Sequence, residues 1–321
     1  MKRILLTTYP GAYLYHGGGE REIFLLRDAL NKVGLIANLY GPDSRPVSEY
    51  DTVIHFSLAG GTEQMLDQLA GNERQMILWP NLWFVDEPAK DTVAHLQKLV
   101  NRFGVIVFKS NAERVHFQKY FTIEDKKIIL VLPGVSNEFA TAKRTTLFTD
   151  VYGVKDYIFW PGIIEPQKNQ LKAIQALADL DIPLVISGSV RDQAYFKLCR
   201  ESAGANTLFV PEMPFGSEIY ISALTGCKIF LELPLDFPGV SAIEAIEVGC
   251  ELLLTDCEWS REFFNNKAIL VNPKSEEDIR EAVIAKLENA NLHTEQKNIG
   301  AFLLPNAFSN LYNYILQESI K

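Results

Sequence analysis

The chain is 321 residues long, which suits two domains of about 150 residues better than one compact core. Its 47% hydrophobic and 22% charged residues are a globular composition and exclude wholesale disorder, and no apolar run approaches the roughly 18 residues of a membrane-spanning helix. The net charge of -9 argues against a general nucleic-acid binder, and it arises wholly after residue 150: residues 1–150 hold 17 basic and 17 acidic side chains, residues 151–321 hold 14 and 23.

The first 11 residues have two basic residues and then too few apolar ones for a signal peptide, so they read as a first strand. Beyond them short β-rich apolar runs alternate with segments of helical period, the pattern of parallel βα units. Strands are expected at 3–8, 36–41, 52–58, 76–81, 105–110 and 127–133. A second set is expected at 157–162, 183–188, 208–213, 228–233, 251–256 and 268–273. Six and six suggests two doubly wound domains rather than one twelve-stranded sheet. Helices fall between them: Ile23, Leu26, Leu30 and Val33 form one apolar stripe, and Leu171, Ile174 and Leu177 another. Pro133-Gly134 breaks the pattern, and the Thr/Lys/Arg-rich stretch 140–154 reads as a linker. The domains are thus expected at 1–145 and 146–321, with a last helix near 307–318 that could pack back on the first. Cys199, Cys227, Cys250 and Cys257 form no CxxC pair and read as reduced thiols of a cytosolic protein.

Ligands of open parallel sheets bind beyond the carboxyl ends of the strands, and two such sheets facing each other leave a cleft. Three loops there could carry chemistry. Gly17-Gly18-Gly19-Glu20-Arg21 precedes the first long helix and lets backbone N–H groups approach a ligand. It is not a dinucleotide fingerprint, and Glu20 is also what a helix dipole favours in a first turn. In the segment 161–169, Pro-Gly ends a strand and Pro166 opens a helix, which puts Lys168 in the first helical turn. A cation there opposes the dipole, which makes sense if it faces a diphosphate; a solvated lysine is the other reading. In the segment 236–244, the N–H groups of Gly239, Val240 and Ser241 could cradle phosphate oxygens at a helix N-terminus, with Glu244 a turn further in to accept ribose hydroxyls. Ser241 and Glu244 also have capping-box spacing.

Gly188, Pro211 and Met213 lie in the next two strand-end loops and could offer backbone groups to a nucleobase. The loop 79–88 contains Trp79, Asn81 and Trp83; its aromatics could stack on sugars or fill a core. The five histidines, His16 and His55 among them, are scattered, with no metal-ligand spacing and no GxSxG or HExxH.

Taken in order, these loops resemble those of retaining GT-B nucleotide-sugar glycosyltransferases, specifically glycosyltransferase family 4. The glycine loop is similar to a GGxER loop, Leu132-Pro133-Gly134-Val135 to PNGVD without its asparagine, and the segment 162–169 to a GRxxxxKN donor loop. Asp236 to Glu244 is similar to E-x7-E, with Gly249 and Glu262 at matching later positions. Ile163 stands where the family has arginine, Asp236 is a methylene shorter than glutamate, and Trp79-Pro80-Asn81 stands where relatives carry a histidine.

The resemblance implies an α/β GT-B fold, two Rossmann-like domains facing a cleft, and retaining sugar transfer from a UDP- or GDP-linked donor to a glycan or lipid-linked acceptor in surface polysaccharide synthesis. The donor site would comprise Gly162, Lys168, Asn169, Gly188, Pro211, Met213, Gly239, Val240, Ser241 and Glu244. Asp236, Lys168 and Glu244 would be catalytic. Gly18, Gly19, Glu20 and Asn81 would form the acceptor or phosphate loop. No metal or cofactor is required if Lys168 and the dipole carry the phosphate charge. A cytoplasmic protein is expected, at the inner membrane face if Lys119, Lys126, Lys127, Lys143 and Arg144 attract lipid rather than being ordinary solvated side chains. A catalytically silent GT-B nucleotide-binding protein and a nucleotide-sugar epimerase on the same scaffold are the alternatives.

Overall fold

The computed structural model describes residues 2–14, 18–42, 44–58, 60–69, 75–288 and 300–317. The chain forms two compact units, Met1–Val135 with Ala301–Lys321, and Ser136–Gly300. In the first, β1 (Arg3–Thr7), β2 (Ile36–Leu39), β3 (Thr52–Phe56), β4 (Gln75–Trp79), β5 (Val105–Phe108) and β6 (Lys127–Leu130) form a parallel sheet of order β2-β1-β3-β4-β5-β6. In the second, β7 (Ile158–Pro161), β8 (Leu184–Ser187), β9 (Thr207–Val210), β10 (Ile229–Glu232), β11 (Leu252–Thr255) and β12 (Ala268–Val271) form a parallel sheet of order β12-β11-β10-β7-β8-β9. All twelve expected strands are present, and both sheets are Rossmann-like. Each strand stops one to three residues short of its expected carboxyl end, because the chain there already turns into loops such as those at Asn81 and Gly162, where φ is 43 and 148.

The strand order reverses between β1 and β3 in the first unit and between β7 and β10 in the second, and each reversal opens a crevice at the carboxyl ends. Alternate residues feed opposite faces. Ile4 and Leu6 pack with Ile23, Leu26 and Leu30 of the helix Gly18–Lys32, while Leu5 packs with Val53, Leu78 and Phe103 on the other face.

The segment after Ala301 completes the first core. Phe308 lies edge-on to Trp79 with centroids 5.6 Å apart, and Leu304, Leu311 and Ile315 are buried beside it. A Cβ on Gly134 would lie 2.6 Å from Phe308 Cζ, so the Pro-Gly step is where this segment docks. The helix Ser309–Gln317 lies within the stretch expected to be the last helix; the terminal Glu318 of that expectation is outside the described residues.

The expected division at 145/146 and linker at 140–154 differ from what is found. The units divide at 135/136, and residues 140–154 contain the helix Leu147–Tyr152. Phe148 is buried against Tyr157 at 5.0 Å, and its N–H donates to Ser222 Oγ at 3.0 Å. The polar residues around it mask one apolar anchor that fastens the segment to the second unit. Among the described residues no helix is long and apolar enough to cross a membrane, and the four cysteines are free thiols.

His55, inside β3, is fully buried between Thr7 Oγ1, 2.9 Å from Nδ1, and Thr62 Oγ1, 3.2 Å from Nε2. Burial lowers its pKa to about 4, against a smaller opposing effect of the Ser57 backbone. The unfolded chain therefore takes up a proton near pH 6.5 that the folded chain refuses until about 4. The stability this confers is complete above pH 6.5 and lost as pH falls towards 4, at most about 3 kcal/mol. Urea unfolding at pH 7.5 and 4.5 should show a steeper acid loss for the wild type than for His55→Gln. Equal losses would disprove the assignment.

Candidate functional site

In the second unit the crevice is built from the loops after β7 and β10. The first begins at Gly162, whose N–H donates to Ser187 O at 2.8 Å. Gly188, in the loop after β8, lies so close that a Cβ on it would collide with the Gly162 carbonyl oxygen at 1.9 Å. The loops are further joined by the Ile164 N–H to Ser189 O and the Arg191 N–H to Ile164 O. Arg191, half exposed, pairs with Glu165 at 3.0 Å.

Lys168 does not lie in the first turn of an α-helix, as its spacing from Pro166 suggested. Residues Pro166–Lys168 form a separate 3-10 turn, and the helix Gln170–Leu177 begins after Asn169 at φ 64. Asparagine tolerates that left-handed backbone. Its amide nitrogen donates to Leu233 O at 3.0 Å and Pro273 O at 2.8 Å, so Asn169, expected among the donor contacts, clamps the ends of β10 and β12. The Gln167 carbonyl accepts the Leu235 N–H at 2.9 Å and brings the β10 loop alongside.

These clamps place Lys168 Nζ 3.5 Å from Asp236 Oδ1, with side chains 25% and 15% exposed. Asp236 Oδ1 is buried and makes no hydrogen bond among the described residues. Beside this pair Gly239 caps the helix Val240–Glu247. The expected phosphate cradle is only partly free: the Gly239 N–H donates to Glu232 Oε1 at 2.9 Å, and Ser241 Oγ donates to Glu232 Oε2 at 2.9 Å. The N–H groups of Val240 and Ser241, at the first two helical positions, have no intrahelical acceptor by geometry.

Glu232, at the end of β10, was not singled out in the sequence. Burial raises its pKa, opposed by Lys168 and its two hydrogen bonds and reinforced by Asp236. A carboxylate interrupting the apolar run at the carboxyl end of a central parallel strand is the signal that could have found it.

The capping-box reading of Ser241 and Glu244 does not hold, because the cap is Gly239 and Ser241 is inside the helix. Glu244 is fully buried, and Tyr220 Oη donates to its Oε2 at 3.0 Å. Of the nucleobase candidates, Pro211 is exposed and its carbonyl accepts Ser187 Oγ at 2.9 Å, while Met213 is buried. Glu262 is exposed on the helix Glu258–Phe264.

In the first unit Gly18, Gly19 and Glu20 open the helix Gly18–Lys32; Gly17 and His16 lie outside the described residues. Glu20 accepts the Tyr9 hydroxyl at 2.9 Å. Asn81 reaches this turn, for a Cβ on Gly19 would come within 2.7 Å of its Nδ2. Under Asn81 lies Lys109, a residue the sequence reading passed over. Trp79 is fully buried against Phe56 at 4.9 Å, a core side chain, and Trp83 stacks on His116 at 3.9 Å. Among the described residues no group of three or more His, Cys, Asp or Glu is placed to hold a metal ion.

Residues 149–301, which contain Lys168, Glu232, Asp236 and the helix Val240–Glu247, match the family Glycosyl transferases group 1. No curated protein sequence matches the chain. Among solved structures it is similar to sucrose-phosphate synthase from Thermosynechococcus elongatus, with a TM-score of 0.79 and 14% identity over 100% of this chain and 99% of that one. Anabaena HepE in complex with UDP and glucose superposes with a TM-score of 0.75 and 13% identity over 100% and 99% of the two chains. A Rickettsia africae glycosyltransferase does so with 0.70 and 15% over 99% and 97%. The fold is GT-B, and the chain carries a glycosyltransferase domain.

Proposed function

We propose that the protein is a retaining glycosyltransferase, similar to family 4, that moves a sugar from a UDP- or GDP-linked donor to a hydroxyl of a glycan or lipid-linked acceptor in surface polysaccharide synthesis. The observation that carries this reading is the convergence of Lys168, Asp236 and the N-terminus of the helix Val240–Glu247 at the strand-order reversal, within the residues that match the family. The UDP and glucose bound by Anabaena HepE support a nucleotide sugar as donor.

In this reading the second unit holds the donor. Lys168 gives charge-assisted hydrogen bonds to the diphosphate, and the Val240 and Ser241 N–H groups complete the anion site. As the glycosidic bond to the nucleotide breaks, negative charge grows on the departing phosphate, and these fixed donors stabilise it without metal or cofactor. Glu232 aligns the turn by fastening Gly239 and Ser241. Asp236, released from Lys168 by the phosphate, faces the transferred sugar. Glu244 accepts a ribose hydroxyl once Tyr220 turns aside, Asn169 and Gly188 keep the loops in register, and Pro211 and Met213 border the base. Gly18, Gly19, Glu20 and Asn81 of the first unit receive the acceptor. The protein works in the cytoplasm, at the inner membrane face when its acceptor is lipid-linked.

The test is a thermal-shift screen against UDP, GDP and their sugar conjugates, followed by NMR of the anomeric product. A ligand at 100 times its Kd stabilises the folded state by about 2.7 kcal/mol, which raises the melting point by several degrees. No shift with any nucleotide would refute the donor site. Donor epimerisation without nucleotide release would replace transfer by an isomerase reading.

A further inference from the structure

The donor chemistry leaves a second polar cluster unused, at the carboxyl ends of the first sheet. Lys109 follows β5 and is 8% exposed; Glu22, on the helix Gly18–Lys32, is 3% exposed. Lys109 Nζ donates to Glu22 Oε2 at 3.1 Å and to Asn81 Oδ1 at 3.2 Å, and its backbone N–H donates to Glu113 Oε2 at 2.7 Å. A buried ion pair is a weak source of stability even when every polar atom is bonded. Here one is not: Glu22 Oε1 is buried and accepts no hydrogen bond among the described residues.

Asn81 is exposed, with a left-handed φ of 43 that asparagine tolerates. Its Oδ1 is held by Lys109, which turns Nδ2 towards Gly19. Helical side chains lean towards the N-terminus, so Glu22 leans over the turn of Gly18 and Gly19, and Gly18 is exposed. A desolvated carboxylate oxygen and a buried lysine gathered at one sheet end serve stability poorly and mark a recognition site.

We propose that this cluster is the hydroxyl-recognition subsite for a neutral sugar acceptor: one hydroxyl donates to Glu22 Oε1 and accepts from Asn81 Nδ2. The role of acceptor rests on the transfer reading above; the binding chemistry does not. A carboxylate oxygen and an amide nitrogen with no hydrogen-bond partner among the described residues, beside one ammonium, match a group that both donates and accepts, as a hydroxyl does. A phosphate dianion, the main form of a phosphomonoester above pH 7, has no proton to give Glu22 Oε1. It would also meet the carboxylates of Glu22 and Glu113, two acids against the one lysine, Lys109, that both contact. Lys109 is a positioning residue, since it fixes both groups that touch the hydroxyl.

Saturation-transfer NMR on the full chain tests this, with glucose, mannose, galactose and N-acetylglucosamine as neutral probes and glucose 6-phosphate as the charged one. At least one neutral sugar should give a signal that drops fivefold or more in both Glu22→Gln and Asn81→Ala, while UDP affinity measured by calorimetry stays within twofold. Asn81 is exposed, so Asn81→Ala leaves the apolar core intact, and with a melting curve to show that it folds it keeps the test decisive if Glu22→Gln folds poorly. The subsite is overturned if the neutral sugars give no signal, if their signal survives both substitutions, or if only glucose 6-phosphate binds. Neutral-sugar binding lost in the variants, in a protein that binds neither UDP nor GDP, would keep the subsite and sink the donor reading.

Discussion

Replacing Lys168 by alanine is expected to weaken UDP or GDP binding by about 2–3 kcal/mol, roughly 30- to 150-fold, the worth of hydrogen bonds to a charged partner. In the loop 161–169 it is the one cation. Stability should fall as well, because the pair with Asp236 is largely buried, its side chains 25% and 15% exposed, and removing one partner leaves the other charge uncompensated. Part of any loss would come from Asp236, whose buried Oδ1 would then face no cation. The double substitution Lys168→Ala with Asp236→Asn removes that penalty, so it should restore the melting temperature and leave nucleotide affinity low. Calorimetry separates the two effects, and nucleotide affinity unchanged in Lys168→Ala would mean that the diphosphate lies elsewhere.

The largest structural effect is expected at Gly188. A Cβ 1.9 Å from the Gly162 carbonyl oxygen meets backbone rather than a flexible side-chain end, so the loops after β7 and β8 must part. Gly188→Ala should cost about 3 kcal/mol in urea unfolding, the upper range for overpacking. The displaced loop carries Gly162 and leads to Lys168, so nucleotide binding should fall as well. Full stability in Gly188→Ala would show that the two loops separate easily.

Much of this was legible in the sequence, and the misses share a cause. The alternation of apolar runs with helical stripes predicted all twelve strands, because parallel strands are buried on both faces and announce themselves locally. The loops of Lys168, Asp236 and Gly239 were found by their place after strands. What escaped depends on contacts between segments distant in sequence. Nothing local to Glu232 says that it holds Gly239 and Ser241, and nothing local to Lys109 says that it meets Glu22, 87 residues away. Asn169 looked like a ligand contact and is a clamp between strands. Phe148 was hidden in a polar stretch that read as a linker. A charged residue at the carboxyl end of an apolar strand was the usable sign in two of these cases.

The second unit is one continuous stretch, whereas the first is assembled from both sides of it. During synthesis on the ribosome the order of completion is therefore inverted. Residues up to 135 wait with Trp79 and the Gly134 notch uncovered until Phe308 emerges, by which time residues 136–300 have all left the exit tunnel. Translational arrest shortly before Phe308 would leave the earlier-born unit the less finished of the two and the one that recruits chaperones.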